Sequence, residues 1–229
     1  MPSDNDTINK AAAKGARIQG GYMDDIMQMQ YQQKNAVLIP GFGRHAIIFN
    51  KDNLVYKEKT YYYSNLTSVF YHSEKMSVNF IPVLYSFYAG LRFGKEKIDF
   101  TFTTPFYIGA KKKEAVFFKL VTLLGEYIMP LLISNSIKDI FENGKSVSVG
   151  NIIFTKDGYS KKKLFGGTDS VLWSEQVYLP VPHEGYIYVY KDKKGKAKVF
   201  KMLRMNTPNA VLLPELVQRA YNRFHNIGG

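Results

Sequence analysis

"IIFTKDGYSKKKLFGGTDSVLWSEQV", residues 152–177, has an earlier counterpart in the same chain: "IIFNKDNLVYKEKTYYYSNLTSVFYHS", residues 47–73. Both open on Ile-Ile-Phe, then a polar residue, then Lys-Asp followed by Asn or Gly. A short apolar run closed by Lys-Asp-Asn or Lys-Asp-Gly reads as a strand and its terminating turn. Both stretches also carry Ser-Val, an apolar residue and an aromatic: Ser68-Val69-Phe70-Tyr71 and Ser170-Val171-Leu172-Trp173. The offset is 105 residues at Ile47/Ile152 and 102 at Val69/Val171. Recurrence in one order predicts a duplicated unit, with Tyr71 and Trp173 as equivalent, partly buried aromatics beside their C-terminal helices.

The flanking sequence extends the repeat. From Pro40 the chain alternates β-branched and aromatic runs with polar turns, as strands do: "HAIIFN", "NLVYKEK", "LTSVFYHS", "SVNFIPVLYSFYAGLRF" and "KIDFTFTTPFYI". Lys111-Lys112-Lys113-Glu114 then opens a helix whose Phe117, Leu120, Val121, Leu124 and Ile128 form one buried stripe. Pro130 removes a backbone donor and predicts a kink or restart. Ile133, Ile137, Ile140 and Phe141 continue the stripe to Asn143-Gly144, a stop signal. Strands resume in "SVSVGNIIFT", "YSKKKLF", "DSVLWSEQV", "GYIYVYK" and "AKVFKMLRM". A closing helix follows, with Pro214 in its first turn and Leu213, Leu216, Val217, Ala220, Tyr221 and Phe224 on one face.

Strands followed by one amphipathic helix therefore occur twice. That order resembles the pleckstrin-homology (PH) superfold and its bacterial PH-like branches, and "KDGYSKKKLFGGTDSVLWSEQV" carries the likeness most directly. The resemblance implies an α+β chain of two PH-like units, each an antiparallel β-meander or partly open barrel capped by a C-terminal helix. The expected divisions are an N-terminal helical or partly disordered arm (1–40), a first unit with an extended linker helix (41–144) and a second unit (145–229). PH-like domains mostly bind phospholipid head groups or protein segments and are seldom enzymes, so the resemblance implies a binding module with no specific ligand.

Composition restricts the chemistry. The 229 residues contain 17 Tyr, 16 Phe and no cysteine, which removes disulfides, thiolate metal ligands and cysteine nucleophiles. The polar N-terminus lacks the apolar core of a signal peptide. The most apolar stretch, residues 115–133, is interrupted by Lys119, Glu126 and Pro130, short of the ~18 uncharged residues of a membrane span. The expectation is a cytoplasmic chain, peripheral at a membrane if bound to one. Within the arm, "YMDDIMQMQYQQ" places Tyr22, Ile26 and Met29 on one helical face, a candidate for docking a sister chain.

No catalytic constellation is legible. His45, His72, His183 and His225 include no pair at helical ligand spacing, so no metal is expected. "ENGKS" (142–146) ends like a phosphate-binding loop, but the position requiring its first glycine is Asp139. Gly41-Phe42-Gly43 lacks the third glycine of a dinucleotide fingerprint. The expectation is a non-enzymatic protein without cofactor.

Charge is the remaining lead. Residues 1–40 balance, residues 41–144 carry 13 basic against 9 acidic groups, and residues 145–229 carry 14 against 6. An excess at one end of the chain suits an anionic partner. In a meander, alternate connections share an end, which predicts one patch from Lys161, Lys162, Lys163, Lys193, Lys194 and Lys196. Alternation puts Lys161 and Lys163 on one face and Lys162 on the other. Such an end either holds phosphate groups or guards a sheet edge against aggregation. The expected partner is an anionic membrane surface or a protein. Nucleic acid is the competing class, disfavoured because Arg, the residue suited to bidentate base contacts, is scarce beside Lys. A structural or assembly role through the N-terminal arm is the third.

Overall fold

Two matching turns carry the repeat. The Asn50 amide donates to the Asn53 carbonyl at 2.8 Å, and the Thr155 amide donates to the Gly158 carbonyl at 2.8 Å. On the strands before them, Ile47 and Phe49 are fully buried, as are Ile152 and Phe154. Alternation along a strand sends the first and third residues of Ile-Ile-Phe into the core. The computed structural model describes residues 34–39, 45–79, 81–106 and 108–227, and the chain divides into two compact units at Thr60/Tyr61.

The first unit contributes β1 (Ala36–Ile39), β2 (His45–Phe49) and β3 (Asn53–Tyr56), which lead into β4 (Lys59–Tyr62). These four strands form an antiparallel sheet in chain order. Strand β1 corrects the expected arm: Ala36–Ile39 pairs with β2, Val37 opposite Ile47. The candidate docking helix at Tyr22–Met29 and the Gly41–Gly43 stretch lie outside the described residues.

The second unit begins with a three-stranded antiparallel sheet, β5 (Leu66–Val78), β6 (Ile81–Phe93) and β7 (Glu96–Pro105), followed by a long helix, α1 (Ala110–Phe141). Pro130 does not break it. The segment Leu124–Ile128 is wound as a π-turn, and the Met129 amide donates back to the Leu124 carbonyl, five residues earlier. The wider turn absorbs the donor that proline lacks. By length and composition α1 is long and apolar enough to cross a membrane, contrary to the expectation from Lys119, Glu126 and Pro130. Its stripe is used as core: Phe117, Leu120, Leu124, Ile128, Leu132 and Ile133 are buried, and Phe117 meets Phe87 of β6 at 5.0 Å.

The order then recurs. A second four-stranded sheet comprises β8 (Val147–Val149), β9 (Ile152–Phe154), β10 (Gly158–Lys162) and β11 (Thr168–Leu172). A second three-stranded sheet follows, β12 (Val181–His183), β13 (Tyr186–Asp192) and β14 (Ala197–Arg204), and then α2 (Leu213–Phe224). The chain is thus α+β, with four antiparallel sheets and two helices among the described residues. No sheet closes into a barrel there.

The topology corrects one equivalence. Tyr71 lies within β5, whereas Trp173 opens a 3-10 turn after β11. The counterpart of Trp173 is Tyr63, which opens the 3-10 turn after β4 and is likewise buried. The Ser-Val likeness was short-range coincidence between different strands. The true offset is 105 residues at Ile47/Ile152 and 110 at Tyr63/Trp173, so the later copy carries five extra residues between these points. They belong to the β10–β11 hairpin. Strands β3 and β4 are joined by two residues, Lys57-Glu58, with φ of 50° and 61°, the left-handed pair of a tight hairpin turn. Strands β10 and β11 are each one residue longer and are joined by five residues, 163–167.

The two runs are stitched together within the second unit. The Asn209 amide donates to the Val69 carbonyl of β5 at 2.8 Å. Its side chain accepts from the Val69 amide at 3.0 Å and donates to the Thr67 carbonyl at 3.1 Å. Asn209 sits at φ 64°, a left-handed conformation that Asn tolerates better than most residues. Asn209→Ala is expected to cost about 2–3 kcal/mol, through two lost hydrogen bonds, their stranded partners and backbone strain. Urea denaturation checks this. Asn209→Gly, which removes the strain but not the losses, falls between alanine and wild type, and an unchanged midpoint for Asn209→Ala refutes the stitch.

Candidate lysine-rich site

The β10–β11 and β13–β14 hairpins bring their tips to one end of the second run. Their junction is an ion pair: Lys191 Nζ of β13 lies 2.6 Å from Asp169 Oδ1 of β11. Burial pushes the Asp169 carboxyl up, but the Lys191 hydrogen bond, with the charges of Lys191, Lys161 and Lys163, outweighs it and holds the carboxyl below its ordinary range. The pair is partly exposed and contributes at most ~1 kcal/mol. Its importance is positional.

Five of the six expected lysines are available at this end. Lys162 ends β10 and Lys163 begins the hairpin loop, both exposed. Lys193, Lys194 and Lys196 are exposed in the β13–β14 turn, which the Lys193 amide closes on the Lys196 carbonyl at 2.9 Å. Lys194 and Gly195 take φ of 56° and 74°, so the turn is of the tight, strand-matched kind. Lys198, which the same strand-connection argument brings to this end, and Lys191, which the sequence does not single out, line an open groove of about 560 Å³ together with Ser170, Val171, Glu175, Val177, Asp192 and Lys193. Register shows why they belong: Lys191 is paired with Lys198 across the hairpin.

Lys161 is the exception. Strands β13 and β14 carry a bulge between Val189 and Tyr190: Val189 pairs with Lys201 and Tyr190 with Val199, leaving Phe200 outside the ladder. Lys161 donates its amine to the Phe200 carbonyl and stands 4.6 Å over the Phe200 ring. Burial lowers its pKa, the Asp169 charge opposes that shift, and Lys201 and Lys191 add to it. Lys161 is therefore a strut between strands, already engaged. Alternation held the clue, because Tyr159 shares its face and is buried. The Tyr159 hydroxyl donates to the Tyr190 carbonyl at 3.0 Å, on the strand opposite the bulge.

The histidines are scattered. His72 stacks on Tyr88 at 4.6 Å, His45 meets the Tyr56 ring at 6.2 Å, His183 lies 3.7 Å from Glu184 and His225 contacts the Trp173 carbonyl at 3.4 Å. Among the described residues, no three His, Cys, Asp or Glu side chains are placed to hold a metal ion. The arrangement offers cations at one end of a sheet system and an apolar loop among them, a binding surface in chemical character. No family model matches this chain, and no curated protein matches it.

Proposed function

We propose that the protein is a non-enzymatic interaction module built of two PH-like units, and that its lysine-rich end binds an anionic membrane surface. The observation that carries this reading is the Asp169–Lys191 bridge, which sets two lysine-bearing hairpin tips side by side. The twice-run order of four-stranded sheet, three-stranded sheet and helix supports the PH-like description. Exposed lysines near an anionic bilayer contribute ~1 kcal/mol each. The same reading places the protein in the cytoplasm, peripheral at a membrane.

Lys162→Gln, Lys193→Gln and Lys194→Gln combined are expected to leave the melting temperature nearly unchanged, since all three are exposed. Sedimentation with phosphatidylserine vesicles should show binding weakened at least severalfold. Wild-type binding should also fall with salt, because the Debye length shrinks from ~10 Å at 0.1 M to ~3 Å at 1 M. A folded triple variant that binds as wild type refutes the lysine end as the site. Duplex DNA at matched salt is the comparison arm for nucleic acid, and selective retention on DNA refutes the membrane reading.

A further inference from the structure

The hairpin loop between β10 and β11 reads Lys163-Leu164-Phe165-Gly166-Gly167, and its two apolar side chains are the most exposed large apolar residues described: Leu164 is 90% exposed and Phe165 97%. Leaving a Leu and a Phe in water forgoes the favourable burial of two large apolar side chains. The loop has a definite conformation of its own. The Lys163 amide donates to the Gly167 carbonyl at 3.0 Å, and the Gly166 amide to the Lys163 carbonyl at 3.3 Å. Gly166 and Gly167 take φ of 89° and 78°, left-handed values that glycine accepts without strain. A closed turn thus holds the pair outward.

Folding does not require this loop. The corresponding hairpin of the first run, β3–β4, closes with Lys57-Glu58 alone, two charged residues and no apolar tip. The same scaffold position therefore forms with a minimal turn in one copy and with an apolar projection in the other. The projection in the second run belongs to the hairpin that the Asp169–Lys191 pair joins to the lysine-bearing β13–β14 hairpin.

We propose that Leu164 and Phe165 are a membrane-insertion tip, entering the headgroup and acyl boundary of an anionic bilayer while Lys162, Lys163, Lys193 and Lys194 contact its phosphates. Charge complementarity selects this occupant: apolar residues preceded by Lys162 and Lys163, on a hairpin paired through Asp169–Lys191 with the one that bears Lys193 and Lys194, match a surface that is apolar within and anionic at its rim. A lysine stem also lies along apolar surface while its amine stays at the phosphate level. The inference rests on the membrane reading above and adds a depth to it. Electrostatic contact alone leaves the tip in water, whereas insertion removes it.

The absence of cysteine permits a direct test. Leu164→Cys, labelled with an environment-sensitive fluorophore, is mixed with phosphatidylcholine vesicles with and without phosphatidylserine. The expected result is a blue-shifted, brightened emission with phosphatidylserine only, quenched by nitroxides on the acyl chains. In parallel, Leu164→Ser with Phe165→Ser should lower vesicle partitioning roughly tenfold or more without changing the melting temperature. If wild type binds these vesicles in a salt-sensitive manner while the double variant binds equally and the label does not shift, insertion is overturned and surface binding stands. If wild type does not bind phosphatidylserine vesicles at low salt, insertion and the membrane reading fall together, and a protein partner takes their place.

Discussion

Trp173→Ala is expected to destabilise the protein by about 3–5 kcal/mol, the range for deleting a large aromatic side chain from a packed core. Trp173 is fully buried. Its ring is 5.5 Å from that of Tyr159 and 6.3 Å from that of Phe154, onto which it stacks. Its indole Nε1 donates to the Thr155 carbonyl at 3.1 Å, and its backbone amide donates to Asp157 at 3.0 Å. Truncation opens a cavity among Phe154, Tyr159 and α2 and leaves the Thr155 carbonyl only the longer bond from the Gly158 amide, at 3.4 Å, inside the turn that defines the repeat. For a unit of this size a loss of 1 kcal/mol lowers the melting temperature by roughly 2–4 °C, so calorimetry should show a fall of roughly 6–20 °C. A melting temperature within about 2 °C of wild type refutes the described core. Trp173→Phe keeps the stacking, loses the donor and should lie between.

Gly158→Ala should be comparably damaging although it adds a single methyl group. A Cβ at Gly158 would stand 2.1 Å from the Val171 carbonyl oxygen and 2.9 Å from the Leu172 Cα, both backbone atoms of the paired strand. No rotamer relieves a clash with a backbone, so β10 and β11 must part where Gly158 faces Leu172. The cost is expected at the upper end of overpacking, about 3 kcal/mol, and it disturbs the hairpin that carries the lysine-rich end. Chemical denaturation checks it. Gly125→Ala provides the contrast: nothing lies within 4 Å of its added Cβ and its φ is ordinary, so it should leave stability unchanged or raise it by ~0.5–1 kcal/mol. Equal behaviour of the two variants refutes the close approach at Gly158. In the earlier run Asn53 stands at the position of Gly158, so the requirement belongs to the later hairpin and not to the repeated turn.

Local chemistry made part of this architecture legible. The Ile-Ile-Phe strands and their Lys-Asp turns recur because alternation and turn geometry act over a few residues, and their hydrogen bonds match at 2.8 Å in both copies. The closing helix was readable for the same reason: on its expected face Leu213, Leu216, Val217 and Ala220 are buried and Tyr221 half-buried, while Phe224, in the last turn, is exposed. Other features depend on partners distant in the chain. Ser68-Val69 and Ser170-Val171 look alike because strand residues alternate wherever they occur, but pairing assigns one to β5 and the other to β11. Pro130 announces a missing donor without stating whether a helix will break or widen; the helix widens, and Ile128 and Leu132 on either side of the proline are both buried.

The lysine-rich end divides along the same line. Net positive charge in the last third, strand alternation and the two turns are properties of consecutive residues, and Lys162, Lys163, Lys193, Lys194 and Lys196 are exposed as those local properties imply. Lys161 belonged to that same run and was captured instead by a carbonyl 39 residues away, exposed by a bulge that no local pattern in β10 records. The bridge between Asp169 and Lys191 spans 22 residues and sets which tips adjoin. Short-range sterics and hydrophobic periodicity therefore specify strands, turns and helices from their own residues. The fate of a single lysine is decided by desolvation and by a hydrogen-bond partner that exists only once the sheets have packed.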